Sequence, residues 1–382
     1  MKNSMKKRLR GALMTAAVSA VAVGTAAIPA YAGSPAATTG WWVAYSHQYS
    51  PAWDNQAYTS LAVVGKGDAW ALGTINDVGS GPGPGAAVAV HWNGKDWTSK
   101  PMPSGVTGTI MESSVLSSKD IWAVTDSGGN ILHWNGSKWL LAKHLTPSVE
   151  GSSPLLSGVT AINDDDIWVF GVSPIAAVAG FGTWHYNGHT WSQVTGLDAT
   201  VLDASATSAS NIWGVTYRQV DHYNGHSWQD ATPASVATQT KAEKLLLEST
   251  WAASSTSTWV AAAGDPGVTD GARLWDVVKG SWKAERLPWA ADDLGQLTPD
   301  GSGGFFVRAT SGGTTWFWHR TAKGQWTRIA SVPDSRIAEN QLNFVVVYAP
   351  VPKTTSLWAV GAAHQEEENE SIPTVWAEGP TH

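Results

Sequence analysis

One feature restricts the fold of this chain more than any other: a short apolar motif centred on an aromatic residue returns seven times. It reads Ala69-Trp70-Ala71-Leu72-Gly73, Ile121-Trp122-Ala123-Val124, Ile167-Trp168-Val169-Phe170-Gly171 and Ile212-Trp213-Gly214-Val215. Looser copies follow at Thr258-Trp259-Val260, Phe305-Phe306-Val307 and Leu357-Trp358-Ala359-Val360-Gly361. The aromatic anchors at 70, 122, 168, 213, 259, 306 and 358 are 45 to 52 residues apart. A period of that length marks an array of supersecondary units, none of which buries its apolar face alone.

A second motif trails the anchor. His91-Trp92-Asn93-Gly94-Lys95-Asp96-Trp97 is repeated as His133-Trp134-Asn135-Gly136-Ser137-Lys138-Trp139, and again from His185 to Trp191 and from His222 to Trp228. Asn-Gly between aromatic residues reads as strand, tight turn, strand, because Asn-Gly favours the positive φ of hairpin turns. The fifth and sixth copies, Trp275 to Trp282 and Trp318 to Trp326, read as the same hairpin with a longer turn. Each unit then holds four strands: A, exemplified by Leu156 to Ala161; B, the anchor run; C, ending in the Asn-Gly turn; and D, starting at the last Trp. Polar turns such as Asn163-Asp164-Asp165-Asp166 join A to B. Seven such units with no long helical pattern between them define an all-β, seven-bladed β-propeller with four-stranded antiparallel blades. The seventh unit supplies A, B and C and then stops. Gly40-Trp41-Trp42-Val43-Ala44-Tyr45 matches a D strand, so the N-terminal strand is expected to join the last blade, close the ring and hide its edges.

Composition agrees. The chain has 382 residues, 24 of them Trp, with 14% charged residues and no Cys. It is too apolar for a disordered chain, and it has no disulfide framework, thiolate nucleophile or Cys-based zinc site. Residues 1–32 read as a secretion signal peptide: Lys2, Lys6, Lys7, Arg8 and Arg10 precede an Ala/Val-rich stretch that ends in Ala30-Tyr31-Ala32, a small-x-small cleavage site. Residues 33–382 are the propeller, and the mature protein is expected to be secreted and extracellular, with no membrane anchor. Cleavage leaves 19 Lys and Arg against 31 Asp and Glu, a net charge of −12. That balance argues against a nucleic-acid partner.

These motifs resemble the secreted bacterial propellers that carry D-[IV]-W-A-V-G and W-[ND]-G-x-x-W repeats, across essentially the whole mature chain. The turn is similar to the Asp-box hairpin but lacks its S-x-D-x-G-x-x-W spacing. The Gly-Gly of kelch repeats and the Trp-Asp of WD repeats are missing too. Small secreted propellers of this kind also resemble the propeller subunit of the umbrella toxin particles of Streptomyces. In that family a lectin-like seven-bladed propeller sits at the spoke tips, held by a small bridging subunit. The resemblance implies a secreted protein partner, a cell-surface glycan, or both.

Catalytic signatures are absent: no G-x-S-x-G elbow, no G-x-x-x-x-G-K-[ST] loop and no H-E-x-x-H helix. One hairpin His per blade, spread around a ring, does not converge on a metal, and a hydrogen-bonded imidazole packing between blades is expected instead. Asp164-Asp165-Asp166 lacks the alternating spacing of a calcium loop and reads as a solvated turn. The run Glu366-Glu367-Glu368-Asn369-Glu370 is a wet loop or a docking element. Most Trp residues occupy repeat positions and belong to the core. The non-repeat Trp184, Trp251, Trp289 and Trp316 are the candidates for stacking on a sugar. The irregular segments are the B–C and D–A loops, including the connection Gln229 to Lys244, which gather on one face. Counting back about ten residues from each anchor, with allowance for insertions, selects Ser60, Glu112, Ser157, Asp203, Glu248, Gln296 and Asn343. All are polar in otherwise apolar or small-residue strands, so they are expected to line the channel mouth. No cofactor or metal is expected there. The leading class is a non-catalytic binding or adaptor module. The alternative is a glycan-active hydrolase or lyase using paired carboxylates at the mouth.

Overall fold

The computed structural model describes residues 40–47, 56–75, 85–126, 128–146, 155–172, 181–194, 200–264, 271–311, 314–329, 332, 341–352, 354, 356–365 and 370–378. The signal-like segment 1–32 lies outside these residues, as do most of the B–C loops and Glu366 to Asn369. Twenty-eight strands form seven four-stranded antiparallel sheets, each in simple up-and-down order. This is a seven-bladed β-propeller. Blade 1 is β2 (Ala57–Gly65), β3 (Asp68–Ile75), β4 (Ala86–Trp92) and β5 (Trp97–Lys100). The inner strands of the next five blades are β6 (Ile110–Ser117), β10 (Leu155–Asn163), β14 (Asp203–Ser208), β18 (Leu246–Ser254) and β22 (Asp293–Pro299). Blade 7 has the order β1-β28-β27-β26: three strands from the end of the chain, β26 (Gln341–Pro350), β27 (Leu357–Gln365) and β28 (Glu370–Glu378), and β1 (Trp41–Ser46) from its beginning. Trp41 pairs with Glu378 and Ser46 with Thr374, so the ring closes as the sequence predicts.

The anchors explain the repeat. Trp70, Trp122, Trp168, Trp213, Trp259, Phe306 and Trp358 are all between 0% and 7% exposed. Four of them meet the aromatic hairpin of the following blade, and a fifth meets its B strand. Trp70 lies 4.5 Å from Trp134, Trp122 6.0 Å from Trp191 and Trp168 5.0 Å from Tyr223, while Trp259 lies 5.2 Å from Phe305 of strand B in blade 6. Trp358 of blade 7 lies 5.1 Å from Trp97 of blade 1. Burial of these rings supplies the apolar contact that one blade cannot make alone.

The hairpin histidines lie on the same sheet face as the anchor of their own blade and stack on its ring. His91, His133, His185, His222 and His319 each lie 4.2 to 4.5 Å from the anchor ring of their own blade. Nε2 of each meets Asp68, Asp120, Asp166, Asn211 or Asp300 at 2.8 to 2.9 Å. The imidazole is hydrogen-bonded as expected, but it tethers strand C to the A–B turn of the same sheet. Asp166 of the acidic turn is thereby engaged by His185 and by Trp168 Nε1. Among the described residues no group of three or more His, Cys, Asp or Glu could hold a metal ion.

The turns also differ in detail from the sequence reading. Only the glycine of each Asn-Gly pair has positive φ, 84 to 91°. The Asn side chain instead accepts two backbone N–H groups, as Asn93 Oδ1 does from Lys95 and Asp96. In blade 5 it is the strands that lengthen, and Lys279-Gly280 forms a two-residue turn with both φ positive. Within the connection 229–244 the chain forms a helix, α1 (Ala234–Ala242), tied to blade 5 by the Glu243–Arg273 ion pair at 3.1 Å. Among the described residues no helix is long and apolar enough to cross a membrane.

Candidate functional site

The inner strands carry a recurrent defect that shapes the channel. Pairing of strand A with strand B slips near the start of β2, β6, β10, β18, β22 and β26. A bulge places two residues against one and re-aims the side chains that follow. The residue just past the slip, two places beyond the anchor's own register, is Ser60, Glu112, Gly158, Ser249 or Val347, and Asp203 holds the same place opposite Val215 in blade 4.

The seven positions chosen from the sequence therefore divide. Ser60, Glu112 and Asp203 are structurally equivalent. Ser157 and Glu248 sit one residue earlier, in the bulge, and Gln296 sits in a wider bulge opposite Arg308. Asn343 is not equivalent: it pairs with Ala363, four residues from Val347 along β26. The connection between Pro350 and Leu357 is one residue longer than its counterpart in blade 1, which moves the equivalent position by a single residue. Blade 7 contributes Val346, Val347 and Tyr348 to the channel instead.

A cavity of about 170 Å³ lies at the starting ends of the inner strands, lined by Glu112, Ser157, Asp203, Glu248 and Gln296 among others. Ser60 lies behind its wall, hydroxyl to hydroxyl with Ser113 at 2.7 Å, and Thr59 takes its place. The cavity reaches past β22 to Phe306, Arg308 and Phe317 on the outer strands of blade 6, and there it meets Tyr348 of blade 7.

The polar side chains of the inner strands join neighbouring blades. Thr59 donates to the Ile110 carbonyl. Glu112 Oε2 accepts from Val159 N at 3.1 Å, and Ser157 donates to the Val201 carbonyl. Asp203 Oδ2 accepts from Ser249 Oγ at 2.6 Å and Thr250 N at 2.9 Å, and Ser249 Oγ accepts from Leu297 N. A series of side-chain latches thus runs from blade 1 to blade 6. Gln296 breaks the pattern by reaching across the channel, its Nε2 donating to Glu112 Oε1 at 3.1 Å. A Cβ at Gly158 would displace the Glu112 carboxyl from its latch, and Gly295 likewise leaves room for the Arg308 side chain.

Electrostatically the cavity is acidic. Burial pushes the Glu112 carboxyl well above its ordinary value, and the Asp203 charge pushes it further. Asp203 is pushed up to about 6 by burial. Burial also raises Glu248, as do the charge of Asp293 and the hydrogen bond it shares with that residue; the Arg308 guanidinium, 3.6 Å from Asp293, partly offsets this. Burial and the Glu248 charge raise the Tyr217 hydroxyl in turn. Asp293, Arg308 and Tyr217 escaped the sequence reading because they lie on a strand start, a B strand and a B–C turn, outside the repeat positions.

The four non-repeat Trp residues do not gather at the cavity. Trp251 is buried against Phe305. Trp289 stacks on Trp318 at 4.0 Å, and half-buried Trp184 donates to the Phe181 carbonyl beneath the Lys143 ammonium. Half-buried Trp316, opposite Ala309, has no ring partner among the described residues and remains the one candidate for stacking.

No protein-family model matches the chain, and no curated protein matches it. Solved structures share the architecture. YCF48 bound to D1 peptide aligns at TM-score 0.52 and 12% identity, over 93% of this chain and all of that one. U3-55K aligns at TM-score 0.54 and 12% identity, over 89% and 98%. A catalytically inactive virginiamycin B lyase from Staphylococcus aureus with quinupristin aligns at TM-score 0.51 and 11% identity, over 88% and 99%. At such identities the likeness establishes the fold alone.

Proposed function

We propose that this chain is a secreted, non-catalytic binding propeller: a lectin-like adaptor, of the kind found in umbrella toxin particles, that docks a partner protein at the acidic mouth of its channel. The observation that carries the reading is the cavity itself. Its carboxylates are grouped at one end of a rigid ring, and a low-dielectric wall strengthens their field toward a cationic segment. A propeller of the same architecture, YCF48, has been seen bound to a peptide. Half-buried Trp316, outside the cavity lining, offers an aromatic face for a glycan.

An enzymatic reading has one observation in its favour. The Asp203 charge raises the cost of ionising Glu112, the circumstance in which paired carboxylates divide acid and base roles. Against it, both oxygens of Glu112 and one of Asp203 already accept hydrogen bonds from other blades.

The deciding experiment is capture from culture supernatant with the wild-type protein and the Glu112→Gln/Asp203→Asn/Glu248→Gln variant. A partner retained by the wild type and weakened by about 1–3 kcal/mol in a variant that still melts cooperatively supports docking at the mouth. Equal capture by both moves the site out to the loops. A solitary monomer with glycan-array hits makes the protein a lectin without a docked partner, and turnover of an oligosaccharide abolished in the variant makes it an enzyme.

A further inference from the structure

Each latch of the inner wall joins consecutive blades except one. Gln296 of blade 6 crosses the channel to blade 2, where its Nε2 donates to Glu112 Oε1 at 3.1 Å. The local pairing allows that reach. Leu294 pairs with Ala309 and Leu297 with Val307, so Gly295 and Gln296 together oppose Arg308 and leave the ladder. Gln296 is exposed, so water replaces its bond to Glu112 at little net cost. Glu112 itself stays in place, because Val159 N of blade 3 holds its Oε2. One oxygen of the carboxylate is thus fixed to the wall, and the other is covered by a side chain that solvent can release.

The rest of the cavity indicates what would take that oxygen. Its lining holds three carboxylates, Glu112, Asp203 and Glu248, and one cation, Arg308, which Asp293 engages at 3.6 Å. A charged N–H donor binds a carboxylate about twice as strongly as a neutral amide does. The lining also includes the apolar Met111, Leu202 and Val347 and the rings of Phe306 and Phe317. An apolar cavity of about 150 Å³ holds a benzene molecule, so about 170 Å³ admits one side chain of similar bulk and not a sugar ring with its hydroxyls.

On the reading of the mouth as a docking site for a cationic segment, on which this rests, we propose that Gln296 is an internal competitor for the ligand. Its amide holds Glu112 Oε1 until one Lys or Arg side chain of a partner displaces it and lays its alkyl stem on the apolar lining. Long cationic side chains bury their stems in this way while the charged end meets polar atoms. The displaced amide turns into water, to which Gln296 is already exposed. A competitor lowers apparent affinity by the fraction of time for which it leaves the site open. With Gln296 in place about four-fifths of the time, its removal tightens binding about fivefold.

Titration of the protein, followed by NMR at low salt, with the end-blocked peptides Gly-Gly-Arg-Gly-Gly, Gly-Gly-Lys-Gly-Gly and Gly-Gly-citrulline-Gly-Gly tests this. The Arg and Lys peptides should bind, and the citrulline peptide, close to Arg in shape but uncharged, should not. Gln296→Ala should bind both cationic peptides about fivefold more tightly, with melting unchanged. That gain should vanish in a Glu112→Gln background, as it must when two groups compete for one oxygen. A gain that persists there overturns Glu112 as the contested acceptor. Equal or weaker binding by Gln296→Ala overturns the competitor and leaves a cation-reading mouth standing. Equal binding of the citrulline peptide overturns both. Binding of no peptide, even by Gln296→Ala, overturns the entry of a single cationic side chain and leaves docking at the mouth to be decided by the capture experiment.

Discussion

At the scale of single residues, departures from the repeat in blades 6 and 4 show what each repeat position does. In blade 6 the aromatic residue after the hairpin histidine is replaced by Arg320, whose guanidinium lies 4.3 Å over the Trp259 ring of blade 5 while its Nε donates to Glu285 at 3.1 Å. Trp326 donates to the same Glu285 oxygen. A flat cation has taken the place of a flat ring and brought its own counter-ion. Arg320→Ala should cost about 1–3 kcal/mol in chemical denaturation, since it leaves a half-buried carboxylate without its counter-ion, and Arg320→Lys should recover only part of that loss. In blade 4 the amide of Asn211 stands in place of the tether carboxylate, and burial lowers the pKa of His222. Asn211→Asp should raise the His222 pKa by about one unit or more in an NMR titration, making this tether one that stabilises the fold in acid and weakens as pH rises.

At the scale of elements, the strand pairs owe their register to side chains as much as to the ladder. Each Asn-Gly turn is held by an Asn oxygen that accepts two backbone N–H groups, as Asn135 does from Ser137 and Lys138. Asn135→Ala should cost about 1 kcal/mol in stability, the ordinary worth of a lost local bond, with the anchor packing intact. The bulge at the start of the inner strands matters more to the site, because it turns polar side chains toward the next blade. Gly158→Ala tests that arrangement: the added methyl displaces the Glu112 carboxyl from Val159 N. The variant should lose about 1–3 kcal/mol at neutral pH, far beyond what Gly-to-Ala costs on an unobstructed strand.

At the scale of the whole molecule, the ring is closed by chain ends that are far apart in sequence. Strand β1 supplies Trp41, buried at 5.5 Å from Tyr348, and covers the edge of β28. Deleting Gly40 to Ser50 should expose that edge and abolish a single cooperative transition in calorimetry, or send the protein into aggregates. Unchanged melting would show that three strands suffice for the last blade. Trp358→Ala attacks the same junction from the other side, by removing the ring that packs on Trp97. It should destabilise by about 3–5 kcal/mol, as loss of a buried Trp does elsewhere.

Blade number, strand order and ring closure were legible in the sequence because the physics behind them is local and periodic. An anchor every 45 to 52 residues, an aromatic hairpin after it and one orphan strand at the start leave little choice of fold. The site was legible only in part. Polar residues about ten before each anchor pointed to the channel, and Glu112, Asp203, Ser157, Glu248 and Gln296 do line its cavity. Counting along a strand does not register a bulge, however: Ser157 and Glu248 reach the cavity from within it, one residue before the places that Gly158 and Ser249 hold in the register, while in blade 7 that place belongs to Val347 and not to Asn343. Nor does a linear count reveal that Gln296 would cross the channel to Glu112, 184 residues away, or that Asp293 and Arg308 would meet Glu248. Those contacts exist only because seven sheets converge on one axis. Closure of the ring brings together charges that no local pattern relates, and burial in the same small space then sets how readily they ionise.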